Sequence, residues 1–181
     1  MNTRPSPEQL RAAYGRSVPD LAAPGLRVLF VGINPSLWSA VTGHHFGNPN
    51  NRLWPVLHKA GFTSRRLLPE EAGELLQRGC GITNFVNRAT ATAAELTADE
   101  LRAGGRTVAA TAARLRPEII AFLGLTAYRT AYGRPRAAVG PQDEPLESVS
   151  AWLLPNPSGL NAHYQMPELV RLYRELRRAL A

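Results

Sequence analysis

The chain has 181 residues, 44% of them hydrophobic and 19% charged, with a formal net charge of +7. That length fits one domain able to bury about 70% of its unfolded surface, and the composition excludes a disordered, collagen-like or disulfide-scaffolded protein. A single cysteine, Cys80, excludes an internal disulfide and a multi-thiolate metal site, and no run of about 18 apolar residues is present to span a membrane.

In chain order, residues 1–20 mix Arg4, Glu8, Arg11 and Arg16 with apolar residues, contain no signal-peptide core, and read as an N-terminal extension. Residues 26–34 (LRVLFVGIN) are rich in β-branched and aromatic side chains and stop at Pro35, as a buried strand does. Residues 51–60 carry Leu53, Trp54, Leu57 and Ala60 at helical spacing before Gly61. A second apolar run, 80–86, follows the acidic stretch 69–77. Thr97 and Glu100 form a capping-box pair that opens a helix to about Leu115. Residues 118–123 are a third strand, 126–132 a helix, and 133–147, rich in Pro, Gly and charge, a surface loop. The fourth strand, 149–154, runs into Pro155, and an amphipathic helix with Leu169, Leu172, Tyr173, Leu176 and Leu180 closes the chain over 166–181.

Strands that are nearly continuous in apolar character, alternating with helices, imply an α/β fold. Its central sheet of four to five mainly parallel strands is covered by helices on both faces, in three layers within a single domain over 1–181. Ligands of such folds bind beyond the carboxyl ends of the strands. Two of those ends are unusual here: GINPS (32–36) after the first strand and PNPSGLN (155–161) after the last. Each alone is ordinary turn and capping material; at equivalent ends of one sheet they form two jaws of a cleft.

Only Lys59 among the 21 basic residues is a lysine. The arginine excess fits the codon habit of a GC-rich genome as well as a polyanionic partner, which arginine grips through its bidentate fork. Arg52, Arg65, Arg66, Arg88, Arg134 and Arg136 are the phosphate-contact candidates.

GINPS followed by TGHHFGNPNNRLWPVLHKAGFT, then GITNFVNR, then LPNPSGLN, resembles the mismatch-specific uracil/thymine DNA glycosylases of the uracil-DNA glycosylase superfamily. The likeness runs from about Val28 into the C-terminal helix, with Ser36 where the family has glycine and Asn161-Ala162 where it often has Ser-Arg. It implies a monofunctional hydrolase, without cofactor, that flips a mispaired or damaged base out of double-stranded DNA. Asn34 would position the attacking water. Ile33, through its backbone, together with Ser39, Phe46, Asn84 and Asn156 would form the base pocket, Phe46 stacking on the pyrimidine and Ser39 crowding a thymine methyl. Gly159, Leu160 and Asn161 would be the wedge that fills the vacated stack, Asn161 facing the orphaned guanine and His163 either touching a phosphate or standing in solvent. A monomeric, cytoplasmic, bacterial enzyme is expected.

Adjacent His44 and His45 have no carboxylate or thiolate nearby in sequence, so a metal site is rejected. GINPS is neither a dinucleotide-binding nor a Walker motif, and one cysteine does not make a zinc deaminase. Two alternatives remain: a uracil glycosylase of a neighbouring branch that tolerates single strands, and a basic module that binds mismatches without cutting any bond.

Overall fold

A computed structural model describes residues 4–180. Its sheet has five strands, β1 (Val28–Gly32), β2 (Cys80–Asn84), β3 (Ile119–Leu123), β4 (Gly140–Pro141) and β5 (Ser150–Leu154), in the order β2-β1-β3-β5-β4. All neighbours are parallel except the edge pair β4·β5. The mainly parallel α/β sheet expected from the sequence is therefore present. Its fifth strand lies inside the segment 133–147 that reads as a loop; two residues are too few to leave a period-two signature.

The helices are α1 (Pro7–Ala12), α2 (Leu37–Thr42), α3 (Leu53–Ala60), α4 (Ala72–Gln77), α5 (Ala98–Leu115), α6 (Leu125–Tyr132) and α7 (Met166–Ala179). α5 opens on the Thr97–Glu100 capping box, as expected. None among the described residues is long and apolar enough to cross a membrane.

Side chains alternate across β1. Val28 and Phe30 face a core built with Leu53, Leu57, Leu169, Tyr173 and Leu176 of α3 and α7. Leu29 and Val31 face a second core built with Leu101, Val108, Ala112 and Tyr128 of α5 and α6. Both faces of the sheet are covered, which is why the strands read as unbroken apolar runs.

The chain leaves β1 for β2 on one side and then crosses to β3 on the other, so β1 is the point where the winding reverses, the place where such sheets open a ligand crevice. The register pairs Gly32 with Asn84 and Leu123 with Leu154. The carboxyl ends are thus level, and the loops after β1, β2 and β5 rise from one edge.

Candidate active site

Asn34 stands two residues beyond the end of β1, half-buried. Its Nδ2 donates to the Arg88 carbonyl at 2.8 Å and to Thr90 Oγ1 at 2.7 Å. Thr90 Oγ1 in turn donates its only hydrogen to the Thr92 carbonyl at 2.7 Å, so toward Asn34 it can only accept. The network fixes which end of the Asn34 amide is nitrogen. With both amide hydrogens engaged, Oδ1 is the end left to accept, and the amide is held in one orientation. Sequence reasoning missed Thr90, because no spacing in the chain marks a residue that acts by holding another.

Asn84 reaches the same edge through the β1–β2 register. Its side chain lies against Gly32 so closely that a Cβ on Gly32 would collide with Asn84 Oδ1 and come to 3.1 Å from the ring of Phe46. The glycine of GINPS is therefore the floor on which Asn84 and Phe46 meet. Asn84 is buried, and its Nδ2 has no hydrogen-bond partner among the described residues. An unmet buried donor costs about 1–3 kcal/mol.

Phe46 has φ 50°, a left-handed conformation that a bulky residue adopts only under constraint. The constraints are visible: Trp54 Nε1 donates to the Phe46 carbonyl at 3.3 Å, and the Gly47 amide donates to Ser39 Oγ at 3.0 Å. Ser39 is itself 2% exposed and exchanges bonds with Ser36, the N-cap of α2. Its hydroxyl thus reaches the pocket only through the turn that aims Phe46. Ile33 packs its side chain toward Gly124 at the end of β3, and its carbonyl accepts from Val86.

The second jaw is a self-bonded loop. Asn156 Oδ1 accepts from the Ser158 amide at 3.0 Å, and Asn161 Nδ2 donates to the Asn156 carbonyl at 3.0 Å. Asn161 Oδ1 accepts from the His163 amide, so most of the side chain expected to face a guanine is engaged inside the loop. Gly159 approaches the Asn50 carbonyl so closely that a Cβ would stand 2.6 Å from it. Leu160, at the tip, is 88% exposed.

Arg52 holds this loop. Its guanidinium donates to the carbonyls of Pro157, Ser158, Asn161 and Tyr164 at 3.4, 2.6, 3.0 and 2.7 Å. That overturns its reading as a phosphate contact, since four of the five guanidinium hydrogens are already given to carbonyl oxygens. Arg88 is likewise paired, bidentate, with Glu100, whose carboxyl it holds down to about 2. Arg134 pairs with Glu144, and Arg65 with Glu71 and Glu74. Arg65 and Arg66 follow Thr63 and Ser64, which line a cleft with Arg27, Arg78 and Cys80 at the amino ends of β1 and β2, away from the site.

His45 is buried beside Phe46, and its Nε2 donates to the Pro19 carbonyl at 2.8 Å. Among the described residues no three His, Cys, Asp or Glu side chains cluster to hold a metal. Burial lowers the His45 pKa from 6.5 despite the Pro19 bond and Asp20, both of which raise it, with His44 lowering it further. Below about pH 6.5 the unfolded chain takes up a proton that the folded chain refuses, so stability is complete above that pH and falls as pH drops toward the lowered folded value. The melting temperature should decline between about pH 7.5 and 5.5 more steeply than that of His45→Gln; parallel curves would show that His45 is not the source.

The sequence matches the family model of the uracil DNA glycosylase superfamily over residues 19–180. The chain belongs to that superfamily. The fold agrees: a protein of Methanosarcina acetivorans, solved by NMR and described as a candidate uracil DNA glycosylase, superposes with a TM-score of 0.60 at 17% identity, covering 90% of this chain and 98% of that one. Superfamily membership brings DNA as the partner and hydrolytic removal of a base as the reaction class.

Proposed function

We propose that the protein is a monofunctional DNA glycosylase that hydrolyses the N-glycosidic bond of uracil mispaired with guanine in duplex DNA, the opening step of base excision repair. The observation that carries this reading is the Asn34 amide just beyond β1, whose two hydrogens are both engaged so that Oδ1 is left as its acceptor.

A base inside a duplex is unreachable, so the nucleotide must swing out, at a cost of a few kcal/mol that is smallest for a mispaired base. The flipped pyrimidine would stack on Phe46, a contact worth ~1–3 kcal/mol, and its carbonyl would accept from the unpartnered Nδ2 of Asn84. Ser39 would limit room for a thymine methyl by fixing the Phe46–Gly47 turn. Asn156 Nδ2 would serve the base while Oδ1 shapes the loop.

Asn34 is neutral and is no strong base. It suffices if the glycosidic bond is largely broken before water attacks: uracil departs as a delocalised anion near the backbone amides around Ile33, and Oδ1 holds water against the oxocarbenium carbon. With no carboxylate in the GINPS turn and no imidazole at position 156, the enzyme relies on binding and position and is slow.

Duplexes carrying G·U, A·U or G·T, and a single strand carrying uracil, should be incubated with the protein and treated with alkali. Strand breaks are expected at G·U first. Binding to G·U without any alkali-labile product would make the protein a mismatch-binding module. Equal cleavage of the single strand would place it in the neighbouring, single-strand-tolerant branch.

A further inference from the structure

The peptide between Arg88 and Ala89 is gripped from both sides. Its carbonyl accepts from Asn34 Nδ2 at 2.8 Å, and its N–H donates to the Arg16 carbonyl at 2.8 Å. A trans peptide is a rigid plane whose C=O and N–H point opposite ways. Whatever fixes one end therefore fixes the other, and the bonds in line polarise one another.

The grip of Arg16 is part of a larger dock. Gly15 donates to the Ala89 carbonyl at 2.9 Å, and the Val18 amide donates to Asn87 Oδ1 at 3.0 Å. Ala13, fully buried, packs with Ala40 of α2 and Ala89. The Tyr14 ring lies 5.9 Å from the Arg88 guanidinium, which also donates to the Tyr14 hydroxyl at 3.4 Å. Upstream, α1 is closed at its start by a reciprocal Ser6–Gln9 capping box. These residues precede position 19, where the match to the superfamily begins.

We infer that residues 13–18 are a brace, which orients the Asn34 amide by clamping the far side of the 88–89 peptide. The inference rests on the catalytic reading of Asn34 given above. Residues of the brace touch neither base nor sugar; they are positioning residues. Undocking them should let the 88–89 plane tilt, loosen the Asn34 bond and misdirect Oδ1, with little change in duplex binding.

The test uses the full chain. Ala13→Asp introduces a carboxylate between Ala40 and Ala89 and should undock the segment. Tyr14→Ala, at an exposed position, removes the Arg88 contacts and the hydrogen bond to Glu95, and serves if the first variant fails to fold. Single-turnover excision of uracil from a G·U duplex should fall about tenfold for Ala13→Asp and about threefold for Tyr14→Ala, with the duplex Kd within about twofold. The Ala89 amide should lose protection from hydrogen exchange in Ala13→Asp. In an Asn34→Ala background, followed over long incubations, neither change should slow excision further, because the brace acts through Asn34. Losses that add in full to that of Asn34→Ala, or unaltered rate together with unaltered Ala89 protection, would overturn the brace. Near-normal excision by Asn34→Ala alone would overturn the catalytic reading instead, and the exchange measurement would still decide whether the segment clamps the peptide.

Discussion

Asn34→Ala should lower the single-turnover rate of uracil excision by roughly 10²–10⁴-fold, the range for loss of one positioned catalytic group, while duplex affinity stays nearly unchanged. In protein–DNA complexes affinity is spread over phosphate contacts across a wide surface, to which one asparagine would add little. An effect on rate without one on binding marks an interaction made in the transition state. Thr90→Val should show the intermediate case. It removes the acceptor of one Asn34 hydrogen, a bond worth about 0.5–1.5 kcal/mol, so the rate should drop by up to roughly tenfold as the amide gains a second orientation. Asn34→Asp should also lose activity, since a carboxylate has no hydrogen to give the Arg88 carbonyl at 2.8 Å. Melting temperature, Kd and single-turnover rate measured on one preparation decide the matter. A stable Asn34→Ala protein that binds and excises normally would refute the assignment.

The two jaws were legible in the sequence because strand ends announce themselves: an apolar run, then Asn-Pro or Pro-Asn-Pro where no strand can continue. The level register that brings Asn84 beside Gly32 follows from parallel pairing of equal-length strands. What stayed illegible depends on contacts distant in the chain. α1 and α2 have six residues each, too few for a helical period, although Ser6-Pro7 with Gln9, and Ser36 with Gly43, were present as caps. The left-handed Phe46 follows from Trp54 and Ser39 acting on one turn, and nothing in its own neighbourhood signals it. Arginine at 52 reads as charge in a basic chain; only the folded loop shows four carbonyls converging on it. The same holds for Arg88 and Arg134, whose carboxylate partners lie 12 and 10 residues away.

Leu160→Ala should weaken excision from duplex DNA by roughly thirtyfold and leave excision of uracil from a pre-opened bubble nearly untouched. Leu160 is 88% exposed in the free protein, so truncating it costs the fold nothing. Its value appears only when the side chain enters the stack in place of the flipped base, where losing three carbons from an apolar contact is worth about 2 kcal/mol. A bubble has already met the unstacking cost, so the wedge has little left to offset there. The tip works only if the loop behind it is stiff, and that stiffness comes from Arg52. Arg52→Lys keeps the charge but replaces a planar five-donor fork with a point of three donors, which cannot span the carbonyls of Pro157, Ser158, Asn161 and Tyr164. It should therefore reproduce the duplex-specific defect at least as strongly as Leu160→Ala. The two changes together should do little more than the worse of them, because a floppy loop cannot drive even an intact leucine between bases. If charge on the phosphates were the role of Arg52, the lysine variant would retain duplex activity. If Leu160 only packed its own loop, duplex and bubble would lose activity equally, and the wedge assignment would fall.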